Sequence, residues 1–367
     1  MRLFRYLAFG LLCLSPSFAT LAQTSTPAVP IDAATRKAVI DVLGEKLKAK
    51  YIFPEVADKV TAVLSAREKS GAYDNDKTAN SFAKALTQDL RDTGKDLHFG
   101  VHYDAAFKED EDPEDDSPPS KAELDDMRKF AEDWGFGIAK IERLPGNVGY
   151  LDLRGFPPAD FTAGAYAAAI NVLSGTDALI VDLRLNGGGD PGAVANFLSH
   201  FFAAGDNRHL NDLYWRAGNR TQEFWTMPVD GPRYTKPVYV LTSARTFSGG
   251  EECAYDFQTQ KRAVLIGQPT GGGANPGGTF SLSHGFVAFI PVGRAINAIT
   301  KTNWEHVGVK PDVIVPAVDA MKTAYVTILQ SLIAHTKDHD ALNELKDALA
   351  KAQKGDEEKP DYSPRHH

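Results

Sequence analysis

Ala178-Leu179-Ile180-Val181-Asp182-Leu183-Arg184-Leu185-Asn186-Gly187-Gly188-Gly189 is the stretch on which the fold turns. Its apolar run, 178–183 with one acid, reads as a strand buried on both faces, and the three glycines end it in a loop whose backbone no side chain covers. Pro191 is placed to open a helix directly afterwards. A second strand of the same kind, Pro237-Val238-Tyr239-Val240-Leu241, runs into Thr242-Ser243-Ala244-Arg245-Thr246-Phe247-Ser248-Gly249-Gly250-Glu251-Glu252. There Ser248 falls where strand gives way to helix. Strand, loop and helix in alternation predict an α/β core of βαβ units.

Working outward, Val148-Gly149-Tyr150-Leu151-Asp152-Leu153 is a further strand and residues 161–173, rich in alanine, a helix. Helices over 193–202 and after Ser248, a strand over 263–267 and a last helix over 320–335 complete the core, which is assigned to 148–335. Residues 23–95 read as a small helical N-terminal domain. Asp32 can cap its first helix, with Val39, Leu43 and Leu47 as the apolar stripe; Pro54 opens the second; Phe82, Leu86 and Leu90 stripe the third, with Gly94 as its stop. Between the two, residues 96–147 read as a strand over 96–103 followed by a linker. The run Glu109-Asp110-Glu111-Asp112-Pro113-Glu114-Asp115-Asp116 has the acidity and proline of a solvated segment and lacks the spacing and glycine of a calcium loop. Residues 336–367 read as a charged tail.

The first 22 residues carry Arg2 and Arg5, an apolar stretch over 6–14 too short to cross a bilayer, and Thr20-Leu21-Ala22 before Gln23. This is the pattern of a signal peptide, so the expectation is a periplasmic or secreted chain without a stable membrane anchor. Cys253 is the one cysteine beyond that segment, which excludes an intrachain disulfide and a cysteine-based zinc site. The formal charge of -8 argues against nucleic acid as a partner. His335 and His339 share a helix face but lack a third ligand, so no metal is expected, and no cofactor.

For chemistry, a serine at a helix N-terminus beside glycine-rich amides offers a nucleophile and an oxyanion hole. Ser248 has that position. It is also placed to be an ordinary N-cap, with Glu251 at the capping-box spacing. The glycines at 187–189 could equally form a tight turn; they lack the lysine of a phosphate-binding loop. Arg245, Glu251 and Glu252 are open between substrate contact and helix capping, and Cys253 reads as a core residue.

Three strings in order carry a resemblance: Leu179 to Gly189; Leu241-Thr242-Ser243 running into Thr246-Phe247-Ser248-Gly249-Gly250-Glu251-Glu252; and Ile266-Gly267-Gln268-Pro269-Thr270-Gly271-Gly272-Gly273. Together they resemble the tail-specific (carboxyl-terminal processing) serine peptidase family. Ile290-Pro291-Val292-Gly293-Arg294 and the stretch from Thr302 to Asp312 are most similar to its branch of interphotoreceptor retinoid-binding protein modules. The resemblance implies a ClpP/crotonase-like core and hydrolysis of peptides or unfolded polypeptide ends, with oligomeric state left open. The processing branch uses a lysine downstream of the serine, where this chain has Thr270-Gly271-Gly272-Gly273-Ala274. The tricorn-like branch uses a histidine and a glutamate, and His98 and Glu305 match those positions, with Leu97 where that branch has a serine.

The implied site is therefore Ser248 as nucleophile, His98 as base and Glu305 as the acidic partner. Gly249 and Gly188 would supply oxyanion amides, and Gly187, Gly189 and Arg245 would contact substrate. Two other classes remain open: a non-catalytic module binding an apolar ligand, and a crotonase-like acyl-transfer enzyme.

Overall fold

The structure, a computed structural model, describes residues 28–107 and 120–355. The expected signal peptide and the acidic run 109–119 lie outside the described residues. The chain begins with three helices, Ala33–Lys50 (α1), Pro54–Lys69 (α2) and Ala79–Gly94 (α3). The Asp32 carboxylate accepts from the Thr35 amide at 2.7 Å, Pro54 opens α2, and the striped residues Val39, Leu43, Leu47, Phe82, Leu86 and Leu90 are all fully buried. Gly94 is the last helical residue, and the left-handed turn falls on Lys95 (φ 62°). Its missing side chain serves packing instead, because a Cβ there would lie 2.7 Å from the Phe99 ring.

The strand expected over 96–103 is shorter, Gly100–Tyr103 (β1). Asp96 stops it from starting earlier: its carboxylate accepts from the His98 amide at 3.0 Å and folds 96–99 into a turn. The stretch read as linker holds a helix, Lys121–Asp133 (α4), and a strand, Ile138–Leu144 (β2). Ser120 and Glu123 make a reciprocal capping box at the start of α4.

From there the elements alternate: Val148–Leu153 (β3), Ala159–Leu173 (α5), Ala178–Asp182 (β4), Pro191–Ser199 (α6), His209–Trp215 (β5), Arg220–Trp225 (β6), Val238–Thr242 (β7), Gly249–Thr259 (α7) and Val264–Gly267 (β8). Then come Gly277–Ser281 (β9), Phe286–Pro291 (β10), Gly293–Asn297 (β11), Val313–Ile314 (β12), Ala317–His335 (α8) and His339–Lys354 (α9). A six-stranded sheet runs β12-β8-β7-β4-β3-β2, parallel throughout except for β2 at the edge. The expected α/β core preceded by a helical N-terminal region is the architecture found.

Side chains of β4 alternate between two cores. Leu179 and Val181 pack under α5, α6 and α7, whereas Ala178 and Ile180 face α8 and α9. α9 lies in the segment read as an exposed tail; Leu345 and Ala348, three apart on one face, are buried against α8. A third core joins α1–α3 to the antiparallel sheet β1-β10-β9, so the N-terminal helices share a hydrophobic cluster with strands from the far end of the chain.

The consequence for function lies in the parallel order. β4 and β7 are neighbours in register, with Asp182 beside Leu241, so the loops leaving their carboxyl ends emerge side by side. Open α/β sheets bind ligands at such strand ends.

Candidate active site

The two loops are stitched together by the residues that leave the strands. Thr246 Oγ1 donates to Leu183 O at 2.8 Å, Ser243 Oγ to Arg184 O at 2.6 Å, and the Phe247 amide to Asn186 O at 2.9 Å. Asn186, fully buried, donates from Nδ2 to Leu153 O and accepts the Gly188 amide on Oδ1 at 2.8 Å. Ser248 then opens α7 with φ 54° and ψ -123°, a left-handed backbone rarely held by a residue with a side chain. Such strain collects at functional turns.

The geometry corrects which glycine of the 187–189 run has an amide to offer. The Gly188 amide is taken by Asn186 Oδ1, and that of Gly187 by Arg154 O at 3.2 Å. Among the described residues the Gly189 and Gly249 amides have no acceptor, and Gly249 lies against the backbone of both Gly188 and Gly189. Gly188 matters for close approach instead: at φ 99°, a Cβ there would lie 2.7 Å from the Gly249 nitrogen and 2.8 Å from Ser248 Cβ. Gly188→Ala is therefore expected to displace one of these donors and lower turnover by about 10²–10³. Steady-state kinetics checks this, and turnover within a fewfold of the parent would mean that the space beside Ser248 is not used.

His98 is nine-tenths buried, with its ring 4.6 Å from that of Phe247, the residue before Ser248, and 6.1 Å from that of Phe289. Neither ring nitrogen has a hydrogen-bond partner, so no bond joins His98 to Ser248 in this state. Asp96, which sequence reading passed over as part of a strand, is the nearest acid, with Oδ1 3.7 Å from His98 Nδ1. It is fully buried and fixed by Tyr51 Oη (3.2 Å) and Asn275 Nδ2 (2.9 Å) on its other oxygen. Glu305 joins the same cluster: one donor atom from each of Asp96, His98 and Glu305 lies within 4.8 Å of the others.

Burial, with the Asp96 charge beside it, pushes the Glu305 carboxyl up to about 8, against the Ala274 amide that donates to Oε2. Glu305 thus favours its protonated form when folded. The unfolded chain releases that proton near the ordinary value of 4.5, the folded chain only near 8, so stability from this group falls as pH rises between them. Glu305→Gln, which keeps the acceptor for Ala274, is expected to lose less stability across that window than the parent. Thermal melts of both proteins from pH 4.5 to 8 test it, and identical pH slopes would count against it.

Glu251 is engaged within the fold. It is fully buried and accepts four bonds, from the Ser248 amide (3.0 Å), Thr270 Oγ1, and the Gly272 (2.7 Å) and Gly273 (2.8 Å) amides. Glu252 is buried too, one turn from Asp256, and burial together with that neighbouring acid raises its carboxyl. Arg245 is exposed at the turn before Ser248. Cys253 is fully buried with its thiol pushed up by burial, which leaves it in the core and no nucleophile.

The chain is similar to known proteins over most of its length. Residues 147–315 match the model of peptidase family S41, and residues 32–132 that of the N-terminal domain of S41 peptidases in eukaryotic interphotoreceptor retinoid-binding protein. Carboxyl-terminal-processing peptidase 2 of Arabidopsis thaliana chloroplasts is 27% identical over 188 residues, 47% of this chain; the match spans about a third (34%) of that relative. Among solved structures, a candidate peptidase from Parabacteroides merdae superposes with a TM-score of 0.53 at 18% identity, covering 78% of this chain and 92% of the other. The tricorn protease superposes with a TM-score of 0.50 at 12% identity, covering 88% and 37%. These two likenesses concern the fold. With both family models aligned to successive parts of the sequence, the chain belongs to peptidase family S41.

Proposed function

We propose that this chain is an exported serine peptidase that cleaves peptides or unfolded polypeptide ends at Ser248. The observation that carries the reading is the strained Ser248 at the head of α7, beside the unengaged amides of Gly249 and Gly189. In the proposed mechanism Ser248 Oγ attacks the scissile carbonyl while His98 takes its proton and returns it to the leaving amine. The two amides hold the oxyanion, with Gly189 replacing Gly188 as the second donor. Asp96, 3.7 Å from His98 Nδ1, is the acid placed to orient the imidazole when substrate binds, and Glu305, neutral near pH 7, sits beside it as a proton-bearing partner. The S41 membership supports this reading, as does the absence of a lysine in 270–274. No described helix is long and apolar enough to cross a membrane.

The test is intact-mass spectrometry after exposure to a fluorophosphonate, with Ser248→Ala as control. A single adduct that the control lacks supports an activated serine. A folded parent that takes up no adduct would overturn the reading and favour a binding module on the same scaffold.

A further inference from the structure

We propose that Asp96, His98 and Glu305 form a binding site for one zinc ion, whose occupation shuts down the hydrolysis proposed above. The inhibitory half rests on His98 being the base; the binding half does not.

Three observations carry it. The donor atoms lie within 4.8 Å of one another, and the Asp96–His98 pair is already at 3.7 Å. Both ring nitrogens of His98 and Oε1 of Glu305 are buried without a hydrogen-bond partner. Each carboxylate is also held in place by other groups: Asp96 Oδ1, the oxygen nearest His98 Nδ1, accepts from the His98 amide at 3.0 Å, and Glu305 Oε1 lies 3.6 Å from His306 Nδ1. Tyr51 and Asn275 hold Asp96 Oδ2, and the Ala274 amide holds Glu305 Oε2. Ligating carboxylates are characteristically braced by such outer partners.

The donor set selects the ion. Calcium and magnesium take oxygen ligands in six- to eightfold or octahedral shells, which one imidazole and two carboxylates do not provide. Zinc accepts nitrogen and carboxylate oxygen at about 2.0–2.2 Å, leaving its donors roughly 3.4 Å apart in a tetrahedron. The cluster has to contract by about 1.4 Å at most, and its fourth position stays open to water. A neutral imidazole has one lone-pair nitrogen; once that nitrogen is bonded to zinc the other carries the ring proton, so neither can accept a proton from Ser248.

The experiment uses the full chain, stripped with EDTA and titrated with zinc chloride, with bound metal counted after gel filtration and affinity taken from calorimetry. The expected result is one zinc per chain, unchanged in Ser248→Ala and at least about tenfold weaker in His98→Ala and in the isosteric Glu305→Gln. Tyr51→Phe, which removes a brace, should weaken binding by about 10–100-fold. Saturating zinc should block fluorophosphonate labelling, and EDTA should restore it. No zinc retained by the parent, or equal zinc in His98→Ala and Glu305→Gln, would overturn the site, and labelling unaffected by saturating zinc would overturn the inhibition. Site-specific zinc on a chain that never labels would leave the site standing and sink the peptidase reading, whereas labelling without zinc would do the reverse.

Discussion

His98→Ala is expected to lower kcat/KM for peptide hydrolysis by about 10⁴–10⁶, because a serine hydroxyl without its base is a poor nucleophile and triad members act as a unit. The loss should sit in kcat, since His98 is proposed to act on Ser248 rather than to bind substrate. It should not come from unfolding. The ring makes no hydrogen bond, so its removal orphans no partner, and the aromatic contacts given up are with Phe247 and Phe289. Losing ring pairs of this kind costs about 0.5–1.5 kcal/mol each. Urea denaturation should therefore show a modestly destabilised but cooperative protein. A variant whose kcat/KM stays within tenfold of the parent would remove His98 as the base. The absent Ser248–His98 bond does not argue against the assignment, since catalytic hydrogen bonds often tighten only when substrate is bound.

What the sequence disclosed, and what it withheld, follows the range of the interactions. The parallel strands β3, β4, β7 and β8 were legible because each is a continuous apolar run closed by glycine, proline or a capping residue, all within a few positions. The same holds for α1 to α3. The antiparallel strands β5, β6, β9, β10 and β11 were not assigned: β6, Arg-Thr-Gln-Glu-Phe-Trp, is mostly exposed and carries no apolar periodicity. α4 and α9 carry local signals, Ser120 with Glu123 and Leu345 with Ala348, but the charge surrounding them gives both stretches the composition of solvated segments.

The site shows the same division. Ser248 and the glycine loop could be found from strand-to-helix turns alone, whereas His98 and Glu305 needed family resemblance. Asp96 could not be found, because the group that orients it, Asn275, lies 179 residues away. Which glycine amide is free could not be read either. That depends on Asn186 and Arg154 having already claimed the amides of Gly188 and Gly187. A motif thus names the loop, and hydrogen-bond accounting within the fold names the donor.

The same accounting makes Glu251 the residue whose loss should do the most structural damage. Capping-box spacing gave its bond to the Ser248 amide, three residues away. Its other three donors, Thr270 and the Gly272 and Gly273 amides, come from the loop that follows β8. That loop is where the cluster is assembled. A Cβ at Gly273 would lie 2.8 Å from the His98 ring, the next amide, Ala274, donates to Glu305, and Asn275 donates to Asp96. Glu251 is thus the tie between the nucleophile's turn and the segment that positions its proposed partners. Burial raises its carboxyl while four donors oppose that shift, and no basic side chain bonds to it among the described residues. Glu251→Gln replaces one acceptor oxygen by a donor: on the Oε2 side the Ser248 and Gly273 amides lose their acceptor, on the Oε1 side the Gly272 amide does while the Thr270 hydroxyl can turn to accept. At about 1–3 kcal/mol for each unsatisfied buried group, the expected loss is roughly 1–6 kcal/mol. Urea denaturation should show this loss together with slower fluorophosphonate labelling of the fraction that remains folded. A Gln variant with parental stability and labelling rate would mean that the loop is held by its other contacts, such as the Gly271 amide on Thr246 O and the His306 amide on Gly272 O. The alignment of Ser248 with His98 would then have to be assigned to those contacts.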